Sequence, residues 1–310
     1  MDLNIEKDKT VLTHANYQDR QSILTTFRFK PCLSESSIER LNQASKKHIS
    51  IEGKDLYVLD GFFLDLEGDE MRLVCKNLDF EVPVCAKTEN IGKFAFKSRS
   101  MNNRGRWQLF SQPPNPFREF YQLLGTLACH LDIEIALHPW FLRGEVSSLP
   151  AFVVNYHEGM SAEDEYGDKH CDYEPEKGVC FGIPNLYSKE KELHKSNFVN
   201  GAVGKPLLVT AMLYSTSHEY DPKYGMGTAF YENGGKKVFS SDCIDMRLVL
   251  FEGDILHGVE KSDIPEGLDV WRISYVFKLT MNPSHSSQDI KAELKKLILK
   301  HTEINSKTNF

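Results

Sequence analysis

Long apolar runs are missing from this chain: no stretch of 18 hydrophobic residues occurs among its 310 positions, which argues against a membrane-spanning helix. Its opening segment, MDLNIEKDKTVLTHANYQDR, contains no apolar stretch of the kind a secretory leader carries. A cytoplasmic protein with no membrane partner is the expectation. Cysteine is sparse and unpatterned. Cys32, Cys75, Cys85, Cys129, Cys171, Cys180 and Cys243 are odd in number and scattered, with no CxxC pair, which argues against a disulfide framework or a zinc ribbon and for reduced thiols. Positive charge is also short. With Lys+Arg 37 against Asp+Glu 44 and a net charge of −7, the surface lacks the basic character that phosphate neutralisation demands, so no nucleic-acid partner is expected. Internal repeats, low-complexity tracts and Pro/Ser-rich linkers are absent as well, so any division into domains is soft.

What is present is an ordinary globular composition, 41% hydrophobic, enough for a large core. The N-terminal half is mixed. SSIERLNQASKK sets Ser36 and Glu39 at capping-box spacing and predicts a helix with Ile38 and Leu41 on one face. NPFREFYQLLGTLACHL predicts a second helix, with Asn115 as N-cap, Pro116 at N1, and Phe117, Phe120, Tyr121, Leu124, Leu127 and Leu131 at helical spacing for packing on a sheet. From about residue 148 the texture turns to short β-rich runs, LPAFVVNY, PLLVTAMLYS, TAFYE, KKVFS, DMRLVLFEG and DVWRISYVFKL, separated by Gly, Asp, Asn and Pro. Strands this closely spaced, without intervening helices, predict an antiparallel sandwich or barrel of jelly-roll type, the architecture of cupins. DIKAELKKLILKH then predicts an amphipathic covering helix, with Ile290, Leu294, Leu297 and Ile298 on one face.

The chemistry starts at DKHCDYEPEKG. On an extended segment side chains two apart leave the same face, so His170 and Asp172 converge while Cys171 points away. A third ligand would be a histidine from another strand. Of the eleven histidines, His257 stands out because RLVLFEGDILHGVEKSD runs from an apolar strand through a Glu-Gly-Asp turn to a short apolar step ending in His-Gly. Further on, WRISYVFKL puts Arg272 and Ser274 on one strand face, opposite Trp271, Ile273 and Tyr275. A cation on a central apolar strand needs an anion. Two partners are open: a structural Asp or Glu, or the carboxylate of a ligand gripped bidentately by guanidinium, with a hydroxyl two residues on adding a bond.

Taken in order, these segments resemble the Fe(II)- and 2-oxoglutarate-dependent dioxygenases, most closely the prolyl 4-hydroxylase-like branch, over residues ~150 to 280. FVVNYHEG…GDKHCDYE is similar to that branch's strand and His-x-Asp; LLVTAMLYS…GMGTAFYE to its apolar strand and glycine-containing element, with Gly225, Gly227, Thr228 and Phe230 at matching places; LVLFEGDILHGVE to its distal-His strand. WRIS is similar to the element that binds the cosubstrate's far carboxylate. The branch often has Lys there, whereas Arg272 with Ser274 is the Arg-x-Ser form found elsewhere in the superfamily, and SDIPEGLDV lengthens the segment from His257 to Arg272. The resemblance implies a mixed α/β fold dominated by β, with a double-stranded β-helix (jelly roll, cupin-like) core over 148–282. Residues 1–147 would be a helical/mixed support region, and 283–310 the amphipathic helix and tail. It also implies His170, Asp172 and His257 as iron ligands, 2-oxoglutarate as cosubstrate held by Arg272, Ser274 and Tyr156, and O2 as oxidant. Hydrogen would be removed from an unactivated C–H bond, with release of succinate and CO2.

Substrate is less defined. FKSRSMNNRGRW offers Arg99, Arg104 and Arg106 beside Trp107, either a solvated basic loop or a device for holding carboxylates. With Asn155, Tyr173 and Glu174 bordering the site, a small anionic, amino-acid-like substrate is expected, undergoing hydroxylation or oxidative cyclisation. Such an enzyme would act as a monomer or weak homodimer. A peptidyl-prolyl hydroxylase is the rival within the family. A nucleic-acid demethylase is disfavoured by the net acidity and by the absence of Arg-x-Asn-x-Thr after His257. A non-catalytic jelly-roll module binding a metal such as Zn²⁺ is the alternative from another class.

Overall fold

The computed structural model describes residues 28–75, 78, 80–81, 98–101, 109, 112–137, 139–142, 145–150, 152–158, 169–174, 179–180, 199–261, 263–265, 268 and 270–300. Its centre is two antiparallel sheets. In the larger, β9 (Phe152–Glu158), β17 (Trp271–Pro283), β12 (Leu207–Thr216) and β15 (Leu248–Glu252) lie side by side in that order. In the smaller, β14 (Lys237–Ser241) pairs β13 (Thr228–Tyr231), β13 pairs β16 (Leu256–Val259), and a bridge between His170 and His257 continues the row. The chain alternates between the sheets: from β9 across to the His170 bridge, from β12 across to β13 and β14, and from β15 through β16 back to β17. That winding is a jelly roll, the double-stranded β-helix.

Period-two alternation sets the faces. Along β12 and β17 the even-numbered residues Met212, Tyr214 and Val276 pack between the sheets with Phe230, Val249 and Phe251. The odd-numbered Leu207, Val209, Ala211, Ile273, Tyr275, Phe277 and Leu279 face a second apolar layer. That layer is built on the helix α3 (Asn115–Leu131), whose Phe117 meets Tyr275 edge-on at 5.1 Å and Phe277 at 5.4 Å between ring centroids. The terminal helix α4 (Ile290–Leu299) covers the same layer through buried Ile290, Leu294 and Ile298.

The first half of the chain widens the large sheet. A hairpin of β2 (Ser45–Ile51) and β3 (Lys54–Asp60) adds to the β15 edge. Its two turn residues, Glu52 at φ 50° and Gly53 at φ 79°, have the left-handed backbone that a tight twisted hairpin requires. β6 (Ile133–Leu137) pairs with the last residues of β17 and with the two-residue β1 (Arg28–Phe29). β5 (Ser98–Met101) and the two-residue β4 (Phe80–Glu81) extend the β9 edge. A separate sheet holds β7 (Pro139–Leu142), β8 (Glu145–Pro150), β10 (Tyr173–Glu174) and β11 (Val179–Cys180).

Two helix starts differ from the sequence expectation. The first helix, α1, runs Glu35–Gln43, capped by the Ser34 hydroxyl accepting from the Ser37 amide, so Ser36 lies inside it. Its expected last residues instead begin β2, because Ser45–Ile51 finds a full pairing partner in β3. In α3, Asn115 is the first helical residue rather than the cap: its backbone N–H donates to Glu70 at 2.9 Å and its side-chain amide to Glu67 at 3.0 Å. Both acids belong to α2 (Asp65–Cys75), so carboxylates from a neighbouring helix satisfy a helix start that lacks its own cap. No helix of the described residues is long and apolar enough to cross a membrane.

Candidate functional site

The site is assembled where two chain reversals meet. His170 and His257 exchange both backbone hydrogen bonds, each N–H to the other's carbonyl at 2.9 Å, and the Tyr173 amide donates to Gly253 O at 2.9 Å. This pinning turns the side chains of His170 and Asp172 toward that of His257. One ligand atom from each residue lies within 4.8 Å of the others. His170 Nε2 is 3.6 Å from Asp172 Oδ1, and His257 Nε2 is 3.7 Å from Asp172 Oδ2. Between them, Cys171 is turned toward the carbonyl of Asp254 at 3.5 Å.

Burial differs sharply within the trio. Asp172 and His257 are buried, while the His170 side chain is 52% exposed, which leaves one side open to solvent. His257 Nδ1 donates to the Ile255 carbonyl at 2.8 Å, which fixes the tautomer and turns the Nε2 lone pair into the cluster. Its ring is also held edge-on against Phe251 at 4.8 Å. Burial lowers the His257 pKa to about 4, with Asp172 acting in the opposite direction, so the imidazole is neutral near pH 7. Burial by itself would raise Asp172, yet the Lys278 ammonium, His257 and His170 hold its carboxyl well below the usual range. Oδ2 receives the Thr210 hydroxyl and the Lys278 ammonium. Oδ1 is buried with no hydrogen-bond partner.

Two imidazoles, the buried one neutral, and an ionised carboxylate with an orphaned buried oxygen form a donor set that fits a divalent metal. Two nitrogens and one oxygen on one side of a centre match the facial arrangement of non-haem Fe(II).

The interior face of β17 carries a second feature. Arg272 is fully buried, at 0% exposure, and none of its three guanidinium nitrogens has a hydrogen-bond partner. Its guanidinium carbon lies 5.6 Å from the centre of the Tyr214 ring, whose hydroxyl donates to Thr228 at 2.7 Å. Cys243 belongs to the same pocket: burial pushes its thiol up to about 12, although the Arg272 charge acts to lower it. Ser274 is buried on the same face. The loop after β12 closes this end of the roll, with Met226 packed against Ile264 and Val270 and the Tyr220 hydroxyl donating to Gly225 O. An unpaired buried guanidinium is costly unless an anion arrives to meet it.

The other expected site residues are placed as follows. Strand register sets Asn155 opposite Ser274, and Tyr156 one row along, opposite Ile273 on one side and Arg99 on the other. The β17 face that buries Arg272 and Ser274 is therefore the row of Asn155, not of Tyr156. Tyr173 is buried, and Glu174 pairs with Val179 in the two-residue β10. Arg104, Arg106 and Trp107 lie outside the described residues. Sequence reasoning missed Thr210 and Lys278, which face each other across β12 and β17. Lys278 shares the parity of Arg272 and Ser274 within WRISYVFKL, so alternation alone put a second cation on that face.

No family model and no curated protein matches the chain. Among solved structures it is similar to a prolyl-4-hydroxylase from Pseudomonas putida, at 10% identity over 78% of this chain and 97% of that one, TM-score 0.38. It is also similar to HygX from Streptomyces hygroscopicus with nickel, 2-oxoglutarate and hygromycin B bound, at 12% identity over 81% and 88%, TM-score 0.38. A third is EctD from S. alaskensis with bound Fe, at 10% identity over 91% and 82%, TM-score 0.37.

Proposed function

We propose that this chain is an Fe(II)- and 2-oxoglutarate-dependent oxygenase. The observation that carries the reading is a three-ligand set at an open edge of the jelly roll, whose Asp172 meets Lys278 on the inward face of β17, together with a buried guanidinium on that same face that has no partner. His170, Asp172 and His257 would hold iron, which with 2-oxoglutarate and O2 supplies the oxidising power to break an unactivated C–H bond, releasing succinate and CO2.

The chain's own residues do the rest. Ile255 keeps the His257 tautomer that presents Nε2, and Thr210 with Lys278 fixes the plane of the Asp172 carboxylate. Arg272 and Ser274 hold the cosubstrate's far carboxylate, in a pocket whose apolar and aromatic walls exclude water and so strengthen the charge pair. The solvent-facing side at His170 is the approach for substrate. The substrate is a small anionic, amino-acid-like compound, undergoing hydroxylation or oxidative ring closure, reactions that share one initial hydrogen abstraction. The arginines of FKSRSMNNRGRW support that class by their charge.

The test is turnover. With Fe(II), O2 and ascorbate the protein should convert 2-oxoglutarate to succinate, faster when the right substrate from a panel of small amino acids and their N-substituted derivatives is added. Tight Zn²⁺ binding without any succinate would instead support a non-catalytic metal-binding module.

A further inference from the structure

Lys278 is a lysine in an unusual place. Its side chain is 8% exposed, and its ammonium sits against Oδ2 of Asp172, a carboxylate whose other oxygen faces His170. Thr210, its register partner on β12, donates to the same oxygen. A structural ion pair would satisfy any buried carboxylate. This carboxylate, however, also belongs to the three-residue donor set, and its orphaned Oδ1 shows that the lysine has not used up its capacity.

We infer that Lys278 is an internal cation that shares Asp172 with the metal and thereby makes metal binding depend on an anion bound along the inward face of β17. The inference rests on His170, Asp172 and His257 being metal ligands. In the metal-free site the carboxylate of Asp172 meets the Lys278 ammonium. A dication held by the same carboxylate adds two positive charges beside that ammonium, in surroundings where charges are weakly screened. Lys278 therefore opposes the metal. A dianion offsets the metal's two charges, and the β17 face is arranged for one: Arg272, Ser274, Val276 and Lys278 alternate along it as cation, hydroxyl, apolar side chain and cation, all buried. By reciprocity, an anion that relieves the repulsion tightens the metal as much as the metal tightens the anion. The lysine would thus keep the site from retaining metal firmly until a dicarboxylate is in place.

The experiment is calorimetric titration of the full chain with Mn²⁺, with and without saturating 2-oxoglutarate, in wild type, Lys278→Met, Lys278→Arg and Thr210→Val. In wild type, 2-oxoglutarate should raise Mn²⁺ affinity at least ~10-fold, within the usual range of coupling between sites. Lys278→Met should bind Mn²⁺ alone at least ~10-fold more tightly than wild type and show a smaller enhancement by 2-oxoglutarate, what remains being the ligation of the metal by the keto acid itself. Lys278→Arg keeps the charge and should keep the coupling. Thr210→Val, which removes only a neutral partner of the same oxygen, should also keep it, and this separates a charge effect from loss of carboxylate positioning. If Lys278→Met does not fold, Lys278→Gln serves as the second neutral variant. A neutral variant with wild-type Mn²⁺ affinity and wild-type enhancement would overturn the inference while leaving the metal site intact. A wild type whose Mn²⁺ affinity ignores 2-oxoglutarate would overturn it whatever the variants do. Absence of Mn²⁺ binding throughout would remove the metal-site reading, and the inference with it.

Discussion

Arg272 is the residue whose energetics and role pull hardest in opposite directions. A fully buried guanidinium without partners is a burden on the ligand-free fold. Arg272→Met, of similar bulk and no charge, should therefore stabilise the free protein by about 1–4 kcal/mol, as replacement of buried charges by packed apolar groups often does. The same variant should weaken 2-oxoglutarate binding by about 2–5 kcal/mol. Urea unfolding of the free protein and equilibrium binding of the cosubstrate read the two effects separately, and a variant destabilised in both would mean that Arg272 has a structural partner. His170→Ala, Asp172→Ala and His257→Ala should each abolish iron-dependent succinate formation, measured after circular dichroism has shown each variant folded. At this scale the sequence was informative where spacing carries chemistry. His170 and Asp172 stand two apart on an extended segment, and Arg272 breaks an apolar strand with a charge. It was silent where chemistry comes from pairing: Thr210 is one threonine in an apolar run until β17 is laid beside it and Lys278 meets the same carboxylate.

The elements that matter most are β12 and β17. Their ten-residue register carries Arg272, Ser274 and Lys278 inward and Ile273, Tyr275 and Phe277 outward. A slip of one residue would exchange the two sets and bury the site's cations under α3. The outward set is what locks the register, through the Phe117 ring set edge-on against Tyr275 and Phe277 and the Phe120 ring tilted against Phe277. Phe117→Ala should therefore cost about 3–5 kcal/mol of stability, while the surviving folded protein binds 2-oxoglutarate with wild-type affinity; chemical denaturation paired with ligand titration checks both halves. Strands β12, β13, β15 and β17 were legible because each is a largely apolar run containing β-branched or aromatic residues, set off by turn residues. Helix starts were less so. Asn115 looks like a cap, but Glu67 and Glu70 arrive from α2 to do that work, and a local reading of sequence contains no such neighbour. The β2–β3 hairpin was missed although Glu52-Gly53 between two alternating runs is a turn signal in its own right.

Across the whole molecule, the jelly roll buries a pH-sensitive group, His257. Burial depresses His257 to about 4, below the ordinary histidine value near 6.5. As pH falls from 6.5 toward 4, the unfolded chain takes up a proton that the folded one refuses, so stability of the metal-free protein should drop by up to ~1.4 kcal/mol per pH unit. Asp172, also held low, adds a further loss below its ordinary value of 3.8. The slope between pH 6.5 and 4 should shrink in His257→Leu, measured by urea unfolding at each pH. That the sequence revealed a jelly roll follows from strands too closely spaced to admit helices; the wide sheet built on it by the first half of the chain depends on edge pairings that no local pattern specifies. The central claim joins the metal ligands to the guanidinium in one site. Its most direct test is anaerobic titration of the protein with Fe(II) and 2-oxoglutarate, following the visible charge-transfer band of a keto acid chelated to iron, in wild type and Arg272→Ala. A band in wild type that needs at least ~30-fold more 2-oxoglutarate in the variant is the predicted result. A wild type with no band, or a band equally easy to form without Arg272, would contradict the account.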